Sequence, residues 1–219
     1  QRMLQDKFYV MPEVDKCRLQ ESFRTFVANY DKVNIHVEPV CYSTDDTAEL
    51  AEIFNGNEAL IKKYAEKLSI SFERVEYAKN NFIRVVKVMK AFILNDSVKS
   101  FLCLNNKLPQ ENKGLFDIKL LEEFADAIIK IYGIKGLKGK DLLYSINSED
   151  YDAKRAEFIQ RLSKGEKLFV ISSYNTVGAG QNLQYKAPGN ATIVAVNDYD
   201  RGDMEKDFDC IYLEKPTNL

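Results

Sequence analysis

Residues 167–184, KLFVISSYNTVGAGQNLQ, place ligand-holding side chains directly behind an unbroken apolar run. Ser172, Ser173, Asn175, Thr176, Gln181 and Asn182 supply hydroxyls and amides. Gly178 and Gly180 carry no Cβ and let a ligand approach the backbone closely. The chemistry such groups suit is binding. No Ser/His/Asp or Cys/His arrangement can be built, because the single histidine, His36, lies early in the chain.

The elements that must position this loop follow from periodicity. Leu168, Phe169, Val170 and Ile171 are consecutive apolar residues, the pattern of a strand buried on both faces of a parallel sheet. Open parallel sheets keep their working crevice beyond the carboxyl ends of the strands, where the polar loop begins. Upstream, Phe101 to Leu104 reads as a strand, and Ile118, Leu121, Phe124, Ala125, Ile128 and Ile129 as the buried face of a helix running to about Tyr132. Leu142 to Ile146 reads as a second strand, and Ala156, Ile159 and Leu162 as the lining of a second helix. Such alternation predicts right-handed crossovers and an α/β fold with a parallel sheet. Ala191 to Val196 and Cys210 to Leu213 read as further short strands, with Tyr185 to Asp207 as a polar inserted loop.

Residues 1–96 read as a mainly helical lead-in. Leu19, Phe23, Phe26, Val27 and Tyr30 share one helical face, and Val33, Ile35 and Val37 alternate as a half-exposed strand with His36 on its polar side. Asp46 and Glu49 form a capping-box pattern, and Asn55-Gly56-Asn57 divides the following apolar set, Leu50 to Leu68, into two helices. From Ser71 to Leu94, the residues Val75, Ala78, Phe82, Val85, Met89 and Phe92 repeat at heptad spacing. That seam serves either an intramolecular core or a partner helix.

The loop after the apolar tetrad resembles motif V of the superfamily 2 helicases and translocases, nearest to their Swi/Snf-like branch. Ser173, Gly178, Gly180, Asn182 and Leu183 match without a gap; Val177 stands where a glycine is usual and Tyr174 where threonine is usual. The order of elements around it is similar too, with Arg155 near the start of the helix before motif V. Phe208 to Pro216 resembles the strand that follows, ending near an acidic residue and a proline. The resemblance covers residues 97–219 and implies a RecA-like helicase C-terminal lobe, expected to be a truncated piece of a longer parent, since the sequence runs from Gln1 to Leu219 without an initiating methionine. It implies that Ser173 and the amides of Gly178 to Gly180 contact nucleic-acid phosphates, that Asn182 braces the loop, and that Leu183 anchors it while Gln184 faces the nucleotide cleft. It further implies ATP and Mg in the full-length parent, with none expected for this chain alone. Its partners would be nucleic acid, DNA before RNA, and the first RecA-like lobe of the same parent. The phosphate-binding loop and acidic Mg motif belong to that first lobe, and the arginine-bearing motif VI follows the last strand. None of these is found in the sequence, so ATP hydrolysis by this chain alone is not expected.

Competing readings stay open. Val177 to Leu183 half-matches a dinucleotide fingerprint but lacks its third glycine, and it also suits a strand-to-helix turn holding no ligand. Gly133 to Asp141 imitates a Walker loop, yet Asp141 replaces the hydroxyl residue and a helix precedes it, so a helix-to-strand turn is expected. Asp198, Asp200, Asp203, Asp207 and Asp209 are irregularly spaced and read as a solvated loop. A non-catalytic interaction scaffold and a stand-alone nucleotide-binding α/β protein are the alternative functions.

Composition narrows the class. The 219 residues are 45% hydrophobic, enough for a real core, and 31 basic against 33 acidic residues give a formal charge of -2. There is thus no global basic field, and any nucleic-acid contact must be local. Cys17, Cys41, Cys103 and Cys210 form no CxxC pair, which points away from a zinc cluster and towards reduced thiols in a cytoplasmic protein, while the helicase resemblance implies a monomer. No apolar run has transmembrane length.

Overall fold

The computed structural model describes residues 36–41, 43, 45–73, 75–108, 116–177, 183–189 and 205–214. Every element below belongs to one unit, 39–188 with 205–219; a second unit, 1–38 with 189–204, contributes only residues 36–38 and 189 to the described set. The expectations for Leu19 to Tyr30, Val33, Ile35, Gly178, Gly180, Asn182, Ala191 to Val196, Asp198, Asp200 and Asp203 lie outside the described residues.

Among the described residues three helices come first: α1 (Asp46–Ile53), α2 (Glu58–Ser71) and α3 (Glu76–Leu94). The break between α1 and α2 falls at Asn55-Gly56-Asn57, and the Asn57 side chain caps α2 by accepting from Leu60 N at 3.0 Å. The cap of α1 is Asp45, one residue before the expected Asp46, and accepts from the amides of Thr47 and Ala48. Glu49 does not reach back to close a box on Asp46; its carboxylate accepts from Ser43 N and pairs with Lys87 of α3 at 2.8 Å. Residues 36–40 carry no strand.

The α/β part follows as β1 (Ser100–Asn105), α4 (Ile118–Ile131), α5 (Gly139–Leu142), β2 (Leu143–Ser145), α6 (Tyr151–Ser163), β3 (Leu168–Ser173), α7 (Tyr174–Val177), β4 (Tyr185–Lys186), β5 (Glu205–Lys206) and β6 (Cys210–Leu213). Four strands form a parallel sheet ordered β2-β3-β1-β6. β4 and β5 pair antiparallel as a short two-stranded ladder. No helix among the described residues is long and apolar enough to cross a membrane.

Alternation along the strands sorts the two faces. Phe101, Cys103, Phe169 and Ile171 point to one side, where they join α1 to α4 in one core; Leu102, Leu104, Leu168 and Val170 point to the other, against α6. The helices take opposite faces because the chain steps from β1 past β3 to β2 and then back to β3. Right-handed crossovers in opposite directions cover opposite faces. On α6 the buried residues are Tyr151, Phe158 and Leu162, while Ala156 is exposed, so Phe158 fills the place expected of Ala156.

The heptad seam of α3 is spent inside the chain. Phe82, Val85, Met89 and Phe92 are buried, and Phe92 lies against the stacked pair Phe101 and Phe169, whose centroids are 4.9 Å apart. Lys167, just before β3, turns its ammonium over the Phe92 ring at 4.7 Å and donates to Asn95 O at 2.6 Å, closing the C-terminal end of α3.

The Walker-like segment joins α4 to β2, a helix to a strand. Gly133, at φ 67°, ends α4 with bonds Gly133 N to Lys130 O and Ile134 N to Ile129 O. Gly139 opens α5 against α4: its amide donates to Asp126 Oδ1 at 2.7 Å, and a Cβ there would sit 2.5 Å from the Glu122 carbonyl oxygen. Gly139→Ala is therefore expected to destabilise by about 1–3 kcal/mol through forced separation of α5 from α4. Urea denaturation measures this, and an unchanged midpoint would show that the backbones part without cost.

Candidate functional site

β1 and β3 are neighbours whose outgoing connections leave on opposite faces. The chain after β1 turns towards α4 with Phe116 in the helical core, and the chain after β3 passes over the other face with Leu183, Tyr185 and Phe208. Their carboxyl ends form a topological switch point, the place where open α/β sheets bind ligands.

Polar residues are concentrated there. Asn105, Ser172, Ser173, Thr176 and Glu214 are all buried, and all lie at or just past the carboxyl ends of β1, β3 and β6. Burying polar groups costs free energy unless they are hydrogen-bonded, so most such clusters are either fully paired or used.

The Ser173 hydroxyl accepts from Thr176 N at 3.2 Å and shares a proton with Thr176 Oγ1 at 2.9 Å, which starts the one-turn helix α7. Either hydroxyl can be the donor of that bond. Ser172 is spent structurally, donating to Ile146 O at 3.2 Å and so tying β3 to the end of β2. Of the other expected site residues, Gln184 follows buried Leu183 at the entry to β4, while Gly178, Gly180 and Asn182 lie in the undescribed stretch between α7 and Leu183.

Glu214 sits at the far side of the switch point, at the end of β6. Its carboxylate accepts from Tyr77 Oη at 2.8 Å and from Asn106 N at 2.6 Å, its carbonyl accepts from Tyr174 Oη at 2.5 Å, and its amide donates to Leu104 O at 3.0 Å. Burial, joined by the Glu214 charge, raises the pKa of both Tyr77 and Tyr174, so both phenols remain donors at neutral pH. Burial likewise pushes the Cys103 thiol up, reinforced by Glu214, which leaves it an inert core residue.

Among the described residues, the buried Asn105 Nδ2 at the switch point and the buried Asn81 Oδ1 on α3 make no hydrogen bond. A fully buried Asn105 at the end of β1, with only a 3.8 Å contact from the Cys103 thiol to its Oδ1, is the least satisfied side chain of the switch point. Unmet capacity of this kind suits a polar ligand or bound water.

Ser173 and Thr176 are legible in the sequence as site residues, whereas Glu214, Asn105 and Tyr77 are not. Asn105-Asn106 at the end of an apolar run was the available signal; Tyr77 reaches Glu214 across 137 positions, which no local pattern records. Among the described residues no group of three His, Cys, Asp or Glu could hold a metal ion. Comparison of the chain with protein-family models and with curated proteins finds no match.

Proposed function

We propose that this chain supplies a RecA-like lobe of an ATP-dependent superfamily 2 nucleic-acid helicase or translocase, with the loop after β3 gripping the nucleic-acid backbone. The observation that carries the reading is the position of that loop. It leaves β3 at the switch point of a parallel sheet and opens on the hydroxyl pair of Ser173 and Thr176. Phosphate oxygens need donors of this kind, and such contacts fix position without reading sequence.

In this reading Ser173 and the amides of Gly178 to Gly180 meet phosphates, Asn182 braces the loop and Gln184 faces the nucleotide cleft. ATP and Mg act between this lobe and a first lobe of the parent. The chain alone lacks the GxxxxGK[ST] loop that cradles ATP phosphates and is expected to hydrolyse no ATP.

The test is fluorescence anisotropy of the 219-residue chain with a labelled single-stranded oligonucleotide and a duplex across a salt series. Weak binding is expected, with log K falling linearly with log salt. Ser173→Ala should weaken it by about tenfold to a hundredfold, the range for one hydrogen bond to a charged group. Absence of salt-dependent binding, or robust ATP turnover by the pure chain, would overturn the reading.

A further inference from the structure

We propose that Glu214 is a positioning residue that makes helix α3 part of the mounting of the β3 loop, through the chain of contacts Tyr77, Glu214 and Tyr174. Its role depends on the loop being the gripping element; its geometry does not. Four segments converge on this one buried residue: α3 through Tyr77, the turn after β1 through Asn106, β1 itself through Leu104, and the first residue after β3 through Tyr174. A buried carboxylate is an expensive way to fill space, and removing one of its partners costs more than the bond alone. Here both carboxylate oxygens are used, each on a different segment.

The direction of each bond explains how movement would pass. Tyr174 donates to the main-chain carbonyl of Glu214, so the start of the loop is tied to the path of β6 and not to a mobile side chain. Tyr77 is half-exposed, yet its hydroxyl aims inwards at Oε1 while Asn106 N holds Oε2. A shift of the first turn of α3 therefore pulls on Glu214, and Glu214 pulls on Tyr174. Tyr174 also adjoins Ser173, whose hydroxyl sets the Thr176 amide, so the same shift re-aims the donor pair.

Hydrogen–deuterium exchange of the intact chain, without nucleic acid, tests this at single-amide resolution. Tyr174→Phe is expected to speed exchange at Thr176 and Leu183 by about tenfold, the scale of one lost buried hydrogen bond. Tyr77→Phe, far away in sequence, should speed the same amides by about threefold to tenfold while leaving β2 and α6 unchanged. The double variant should be little faster than Tyr174→Phe alone, because residues in one network are non-additive. Glu214→Gln, which keeps the side-chain shape but cannot accept at both oxygens, should reproduce the local acceleration. Wild-type exchange at Thr176 and Leu183 in Tyr77→Phe, or effects of the two tyrosines that simply multiply, would overturn the proposal. Since no ligand is present, a coupled network in a chain that binds no oligonucleotide would refute the nucleic-acid reading and keep this one.

Discussion

Phe124→Ala is expected to lower the unfolding free energy by about 3–5 kcal/mol, the range for emptying a fully buried aromatic site. Phe124 projects from α4 into a cluster built by three other helices. Its ring lies 5.6 Å from Phe54 of the turn after α1, 4.3 Å from Tyr64 of α2 and 5.5 Å from Phe82 of α3. Tyr64 is held in turn by its hydroxyl, which donates to Glu123 O at 2.8 Å and whose pKa burial has pushed up to about 12. Rings fixed on three sides cannot collapse into the space a methyl leaves, so the cavity remains and its cost is high. Against a typical total of about 5–15 kcal/mol, the loss is a large fraction of the stability.

The same geometry dictates how the protein should unfold. The helices before residue 96 and the α/β part after it bury their apolar faces in one core, with Phe92 on the sheet and Phe124 among the lead-in helices. A single urea transition is expected for wild type and variant, with an earlier midpoint and an unchanged slope for Phe124→Ala. A loss below about 1.5 kcal/mol would mean the cluster repacks, and two separate transitions would mean that α1 to α3 fold independently of the sheet.

What the sequence could tell about this fold divides along the range of the interactions involved. The apolar tetrad of β3, the periodic face of α4 and the divide at Asn55-Gly56-Asn57 are written in neighbouring residues, and the structure has all three. The parallel sheet followed from alternation of elements, and β6 from its short apolar run. Phe158 on α6 is not picked out by the spacing of Ala156, Ile159 and Leu162, and the rings it meets, Tyr144 and Phe208, come from elsewhere in the chain. The caps were misplaced by one residue at Asp45, since Asp45 and Asp46 are chemically equal and only backbone geometry distinguishes them. Glu214 was legible as an acidic end to a strand but not as a meeting point, because its partners at Tyr77, Asn106 and Tyr174 are brought to it by the topology. Asp209 is the sharpest case: it read as one of five solvated acids, and it is a latch.

Asp209→Ala is expected to cost about 2–4 kcal/mol, because one side chain serves four donors that would lose their acceptor together. Asp209 Oδ2 accepts from Lys99 N at 2.9 Å, Ser100 N at 3.0 Å and Ser100 Oγ at 3.1 Å, while Oδ1 pairs with Lys206 at 2.5 Å. Asp209 N completes the clip by donating to Ser100 Oγ at 2.9 Å, and Tyr185 Oη lies 2.9 Å from the same hydroxyl. These bonds align the amino ends of β1 and β6 and bind the β4–β5 ladder to the sheet, so they set the register that delivers Glu214 to the opposite end. Burial alone would raise the Asp209 carboxyl, but the Lys206 ammonium and the two backbone amides outweigh it and hold the pKa below the ordinary value. A depressed folded pKa contributes stability that is present above the unfolded value of about 3.9 and is lost as pH falls through the folded one. Lys206 is shifted the other way, burial lowering it and Asp209 raising it further, so its share persists through neutral pH and disappears only in strong alkali. Thermal denaturation should therefore show Asp209→Asn well below wild type at pH 7, with the gap closing as pH falls from about 5 towards 2. A gap of equal size at both ends of that range would show that shape and not charge holds the latch, and it would remove the carboxylate from the account of how β6 is registered.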